Sequence, residues 1–160
     1  MPDLNILCID DQRAVLASLR RDLADLMETF EVIDCESAAE AAEVMEEIDA
    51  RGGHVVLLIC DHVMPEKNGV DFLTEVKHDS RFRHTRKLLL TGLATHEDTI
   101  EAINKADVDH YMDKPWDQEQ LLAVVRTLIT GYVLRAGLEY QPLMKYLDQE
   151  ALWAELRNRT

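Results

Sequence analysis

Residues 55–61 read Val55-Val56-Leu57-Leu58-Ile59-Cys60-Asp61, six apolar residues in unbroken succession followed by a carboxylate. A half-buried strand alternates apolar and polar side chains, so a run that is apolar at every position suits a central parallel strand covered by helices on both faces. Parallel neighbours require crossover connections, and the sequence on either side of the run supplies them. Upstream, residues 4–9 form a first strand ending in Asp10-Asp11, Leu16, Leu19, Leu23 and Leu26 recur at helical spacing, and a second strand fits residues 31–35. Ser37 with Glu40 opens a further helix as a capping box, with Ala38, Ala41, Ala42, Met45 and Ile48 as its buried stripe and Arg51-Gly52-Gly53 as its stop. Downstream come a loop with Pro65 and Gly69, a helix marked by Phe72, Leu73 and Val76, and a strand over 87–91. Thr95 and Asp98 begin another helix with Ile100 and Ile103 on its buried face. A short strand over 109–112 is stopped by Lys114-Pro115, and a last helix capped by Asp117 runs to about Gly137. The alternation predicts an α/β chain with a doubly wound parallel sheet.

The chain carries 17 Lys and Arg against 31 Asp and Glu, a formal charge of −14 over 160 residues. That field repels phosphate backbones and anionic lipid, so direct nucleic-acid binding and membrane association are not expected. No apolar run approaches the roughly 20 residues that span a bilayer, and the first residues lack a basic segment followed by an apolar one, which predicts a cytoplasmic protein. Cys8, Cys35 and Cys60 have no CxxC spacing and lie in or beside apolar runs, so they are expected as reduced packing residues.

Five polar features fall at the carboxyl ends of the predicted strands: Asp10 and Asp11 after the first, Asp61 after the third, Thr91 at the end of the fourth and Lys114 after the fifth. In open parallel sheets this is the edge where ligands bind. Singly, each is more often a turn, cap or β-forming residue. Together they are chemically coherent. Three close carboxylates repel one another by several kcal/mol per pair at an effective dielectric of about 20. A hard divalent cation relieves that repulsion, and few carboxylates with room for water and phosphate oxygens favour Mg²⁺. Lys114 would then help neutralise an incoming phosphoryl group, Thr91 would donate a hydrogen bond to it, and Asp61 is placed to be the nucleophile.

Ile9-Asp10-Asp11, Cys60-Asp61-His62-Val63-Met64-Pro65 through Gly69, Leu90-Thr91-Gly92 and Tyr111-Met112-Asp113-Lys114-Pro115 together resemble the receiver domain of two-component response regulators, over about residues 4–130. The resemblance implies a flavodoxin-like (βα)₅ fold in which Asp61 accepts a phosphoryl group from a histidine kinase or a histidine phosphotransfer protein. It implies a Mg²⁺ site of Asp11, the largely water-mediated Asp10, Asp61 and the carbonyl of Val63. Lys114 would pair with the phosphoryl group, and the Lys114-Pro115 bond is expected to be cis. Thr91 and Tyr111 match the family's switch pair, which remodels the surface of the fourth helix, fifth strand and fifth helix, while Gly92 keeps the approach to Asp61 open. Val63 and Leu93 are apolar where polar residues help align a hydrolytic water, so slow autodephosphorylation is expected; beyond this self-directed chemistry no enzymatic activity is. Lys105 stands where glycine is frequent, and His62 beside the nucleophile is read as a solvated loop side chain.

Two other readings compete with this one. A phosphatase of the haloacid-dehalogenase type needs DxDxT after the first strand, where this chain has Asp10-Asp11-Gln12-Arg13. A pseudo-receiver that serves as an unphosphorylated scaffold is opposed by the intact set of five.

The last helix would be about 30 Å long at 1.5 Å per residue, against about 20 Å for a six-residue strand, so it should overhang. Its apolar residues Leu121, Leu122, Val125, Leu128, Ile129, Tyr132 and Val133 span more than the roughly 100° arc one core requires. Leu128, Ile129, Tyr132 and Val133 should therefore meet the terminal segment, a second copy or a downstream domain. The segment after it carries a weaker helical pattern in Leu143, Tyr146, Leu147, Trp153 and Leu156. The division expected is a receiver over 1–130 and a helical extension over 131–160. That extension would serve homodimerisation, the preferred reading, or link to an output domain; a downstream protein target is the other route for the signal.

Overall fold

The computed structural model describes residues 1–92, 100–101 and 104–158. Five parallel strands, β1 (Leu4–Ile9), β2 (Phe30–Cys35), β3 (His54–Asp61), β4 (Arg86–Thr91) and β5 (His110–Asp113), form one sheet in the order β2-β1-β3-β4-β5. The expected flavodoxin-like doubly wound sheet is present, with strand ends within a residue of those read from the pattern. The order reverses between β1 and β3, the switch point where such sheets open a crevice.

The apolar runs divide between two cores. Leu4, Ile6 and Cys8 of β1 with Leu57 and Ile59 of β3 face one layer of helices, while Leu7 and Ile9 with Leu58 and Cys60 face the other. The β1–β3 register slips between Asn5 and Ile6, which lets Val56 and Leu57 both contribute to the first core. That core holds α1 (Arg13–Asp22) and a long helix (Gln118–Arg135); the second holds α2 (Ala38–Ala50) and α3 (Gly69–Lys77). All three cysteines are buried and free, and burial pushes the Cys8, Cys35 and Cys60 thiols up, away from the reactive thiolate.

Local chemistry sets the helix ends. Ser37 Oγ accepts from Glu40 N at 3.1 Å, Asn68 Oδ1 from Asp71 N at 2.8 Å and Asp117 Oδ2 from Gln120 N at 3.0 Å. Beyond α2 and the long helix, Gly52 and Gly137 take φ values of 77° and 75°, the left-handed stop that favours glycine. Three expectations shift. Leu23 and Leu26 are buried but follow α1 on a 3₁₀ turn (Ala24–Leu26), because spacings of three and four serve either helix. Ala42 is exposed, leaving Val44 to fill in beside the buried Ala38, Ala41, Met45 and Ile48. Ile100 is 47% exposed, although residues 100–101 and 104–106 are helical; Leu93, Thr95, Asp98 and Ile103 lie outside the described residues. Lys105 is helical and pairs with Asp71 at 3.0 Å, and Asp107, at φ 56°, makes the turn into β5.

The terminal segment covers the overhang of the long helix. After Gly137 the chain forms a 3₁₀ stretch (Gln141–Tyr146) and a terminal helix (Gln149–Asn158). Leu128, Ile129, Tyr132 and Val133 join Leu143, Tyr146, Leu147 and Leu152 in the first core. Thr130, fully buried, accepts from Asp148 N at 2.9 Å and donates to Arg126 O at 2.7 Å. Tyr146 packs edge-on against Phe30 at 5.4 Å and shares a 2.8 Å hydrogen bond with Thr29. Of the residues expected to bind the segment, Trp153 is the exception: it is 58% exposed, and Leu152 beside it is buried instead.

Candidate functional site

The register explains the meeting of residues so distant in sequence. Ile9 pairs with Cys60, so Asp10 and Asp61 emerge side by side from β1 and β3 at the switch point. Asp61 pairs with Leu90 and Thr91 with Asp113, which brings Thr91 and Lys114 to the same edge from the next two strands. Lys114 N donates to Thr91 O at 3.1 Å, and the Lys114-Pro115 bond is cis as expected. The Lys114 ammonium lies 2.7 Å from Asp10 Oδ2 and 3.2 Å from Asp61 Oδ1.

Asp10, Asp11 and Asp61 each offer a carboxylate oxygen within 4.8 Å of the others. Asp10 and Asp61 are buried and Asp11 exposed, so the cluster is a recess open on one side. Asp10 Oδ1 also accepts from Gln12 N at 2.8 Å. Among the described residues, one ammonium, paired with two of the three carboxylates, offsets the cluster. Burial raises the Asp61 pKa, the Asp10 charge raises it further, and Lys114 opposes both. For Lys114, burial acts to lower the pKa, but its bonds to Asp10 and Asp61 outweigh that and raise it, keeping the ammonium charged. Oxygen donors with a surplus of negative charge on an open recess match what a hard divalent cation requires.

Gly69 sets how closely α3 approaches the site. A Cβ there would collide with the Asp61 carbonyl oxygen and lie 3.0 Å from His62 Cα, so only glycine lets the helix start directly behind the acidic cluster. Gly69 N donates to His62 O at 2.8 Å and Val70 N to His62 Nδ1 at 3.4 Å. His62 is therefore half-buried and holds the start of α3, correcting its reading as a solvated side chain. Val63 is 53% exposed beside the cluster, with only its backbone suited to a ligand role. Tyr111 is 39% exposed with its ring at the surface, and Thr91 is buried at 1%. Among the described residues, a Cβ on Gly92 would meet only Lys114 Cβ, at 3.8 Å, an ordinary contact.

Sequence reasoning missed Asn68, Gln12 and Trp116. Asn68 three residues before Asp71 is a readable cap signal. Gln12 contributes a backbone N–H, for which side-chain identity gives no sign. Trp116 donates from Nε1 to Asp22 Oδ2 at 2.8 Å, a partner 94 residues away that no local pattern discloses.

The family model of the response regulator receiver domain matches residues 6–126. The hydrogenase transcriptional regulatory protein HoxA of Bradyrhizobium diazoefficiens is 31% identical over 134 residues, which cover 84% of this chain and 26% of that protein. The chemotaxis protein CheY1 of Helicobacter pylori is 30% identical over 118 residues, 74% of this chain and 90% of that protein. The chain thus spans about a quarter of the hydrogenase regulator it matches and most of the chemotaxis protein. Among solved structures, the signal receiver domain of an HD domain-containing protein from Pseudomonas fluorescens Pf-5 superposes with a TM-score of 0.70 at 25% identity, covering 81% of this chain and 97% of that one. No helix among the described residues is long and apolar enough to cross a membrane. With its fold, its strand-end cluster and these relatives in agreement, the chain belongs to the receiver domain family of two-component response regulators.

Proposed function

We propose that Asp61 is the phosphoryl acceptor of this receiver domain and that acceptance depends on Mg²⁺. The observation that carries the reading is the charge imbalance at the switch point among the described residues: three carboxylates within 4.8 Å and one ammonium reaching two of them. Asp10, Asp11, Asp61 and the Val63 carbonyl would hold the cation, which when bound supplies positive charge for carboxylate and phosphoryl oxygens. The chain's own groups do the rest. An Asp61 oxygen attacks phosphorus and the bond from phosphorus to the donor's imidazole nitrogen breaks, with the imidazole leaving. Lys114 pairs with a phosphoryl oxygen and Thr91 donates to another.

The donor would be a sensor histidine kinase or a histidine phosphotransfer protein. The output would be a change in protein contacts as Thr91 and Tyr111 reorganise the surface carrying β5 and the long helix. Recipients are a downstream protein or a fused output domain. The receiver is assigned to 1–130 and the segment over 131–160 to a helical extension that serves dimerisation or links to an output domain. Homodimerisation through the extension would use residues other than Leu128, Ile129, Tyr132 and Val133, which are taken up inside the chain; light scattering with and without a phosphoryl mimic checks it. A cytoplasmic setting and slow autodephosphorylation belong to the same reading.

Incubation with acetyl phosphate or phosphoramidate and Mg²⁺, followed by intact-mass measurement, should show one phosphoryl adduct in the wild type and none in Asp61→Asn. No adduct with any donor would leave the unphosphorylated scaffold as the better reading. Turnover of small phosphate esters would point to the phosphatase.

A further inference from the structure

Trp116 stands between two grooves. One, of about 470 Å³, runs down α1 past Gln12, Val15, Ser18 and Asp22 and reaches Lys114 and Trp116. The other, of about 500 Å³, lies between β5 and the long helix, with Tyr111, Val124 and again Trp116 on its walls. The indole lines both, as does Pro115. It is half-buried against the first core, and its Nε1–H donates to an Asp22 carboxylate whose side chain is only 12% exposed. A hydrogen bond to an acceptor sheltered from water is stronger than one exposed to it.

The Lys114–Asp117 loop is held at three points. Lys114 N is bonded to Thr91 O and Asp117 caps the long helix, so both ends are tied to the structure beside the loop. Trp116 ties its middle to Asp22, the last residue of α1, whose first turn follows Asp10 and Asp11. The Lys114 loop and the acidic turn before α1, the two oppositely charged halves of the site, are thereby connected through the length of α1.

We propose that Trp116, held by Asp22, is a positioning residue for Lys114, setting where the ammonium stands relative to Asp10 and Asp61. The proposal rests on Asp61 being the phosphoryl acceptor. Trp116→Phe keeps the ring and removes the donor, Asp22→Ala removes the acceptor, and Asp22→Asn keeps an acceptor oxygen. Labelling of the full chain by phosphoramidate at saturating Mg²⁺ should slow by about three- to tenfold in the first two, as loss of one hydrogen bond and a small misplacement imply, and stay close to wild type in the third. In a Lys114→Ala background, Trp116→Phe should add no further slowing. In the metal-free protein the Lys114 Nζ NMR signal, assigned by its loss in Lys114→Ala, should move toward that of free lysines in Trp116→Phe and Asp22→Ala but not in Asp22→Asn. An unmoved Nζ signal, or equal slowing with and without Lys114, overturns the proposal and leaves Trp116 a packing residue. Labelling that survives Asp61→Asn would instead sink the acceptor assignment, and the metal-free NMR comparison would still decide whether Trp116 positions Lys114.

Discussion

The two ends of the sheet treat charge in opposite ways. At the carboxyl end, Asp10, Asp11 and Asp61 cluster, and among the described residues Lys114 pairs with two of them, leaving negative charge in excess. At the amino end, Arg51 pairs with Asp3 at 2.6 Å, Arg86 with Asp109 at 3.0 Å, and His54 Nδ1 meets Tyr132 Oη at 3.0 Å. Gly131 in the long helix even leaves room for the Arg86 guanidinium, where a Cβ would stand 2.6 Å from Nη1. The terminal segment then covers the neighbouring apolar surface. The amino end is largely paired and covered, although Arg86 keeps Nε and Nη1 buried without a hydrogen-bond partner among the described residues; the carboxyl end holds its carboxylates in an open recess. The uncompensated negative charge of the second is what a cationic ligand would relieve.

The largest effect that sharpens this contrast is at Asp61. Asp61→Asn should abolish the phosphoryl adduct while raising the unfolding temperature of the metal-free protein, because it removes a carboxylate that the fold disfavours in its charged form. The pH dependence has a definite sign. The folded-state value lies above the ordinary 3.8, so stability is full below 3.8 and is lost as pH rises from there through the raised value. The advantage of Asn over Asp in parallel unfolding curves should therefore grow across that window and then level off. A constant difference would mean that the cluster is not under electrostatic stress.

At the closed end, Leu128→Ala should cost about 2–5 kcal/mol, the range for emptying a buried leucine site. Its labelling rate by a small phosphodonor should be unchanged where the chain is folded. A labelling rate that falls with stability would break the separation of the two ends. Mg²⁺ comes next: at about 100 times its dissociation constant it should stabilise the wild type by about 2.7 kcal/mol, and Asp61→Asn by clearly less. Equal stabilisation of both would place the cation elsewhere. The smallest expected change is in Tyr146→Phe, which removes the 2.8 Å bond to Thr29 and keeps the ring against Phe30. It should cost about 1 kcal/mol in denaturant unfolding, the net worth of a typical hydrogen bond.

Much of the site could be read before the fold, for a reason visible at Asp61. A strand apolar at every position ends where its first charged residue appears, so strand-end polar residues mark the ligand edge of a parallel sheet by local pattern alone. Caps at Ser37 and Asp117 were readable in the same way, since they depend on residues three apart. His62 was misread because its role is a contact with Val70 N, set by how α3 packs and not by its neighbours in sequence. The exposed Ile100 and Trp153 show the limit of periodicity, which identifies a helix face but not whether anything covers it.

By itself, the sequence determined the alternation of strands and helices, the five polar residues that end the strands, and the excess of apolar surface on the last helix. These follow from short-range periodicity and chain order. Only the tertiary structure decided that β1 sits between β2 and β3, which sets Asp10 beside Asp61; that the terminal segment, not a second copy, covers Leu128 and Val133; and that Trp116 reaches Asp22. Each is an adjacency between distant parts of the chain, settled by which packing buries the most apolar surface while pairing the buried polar groups, and no local pattern carries that sum.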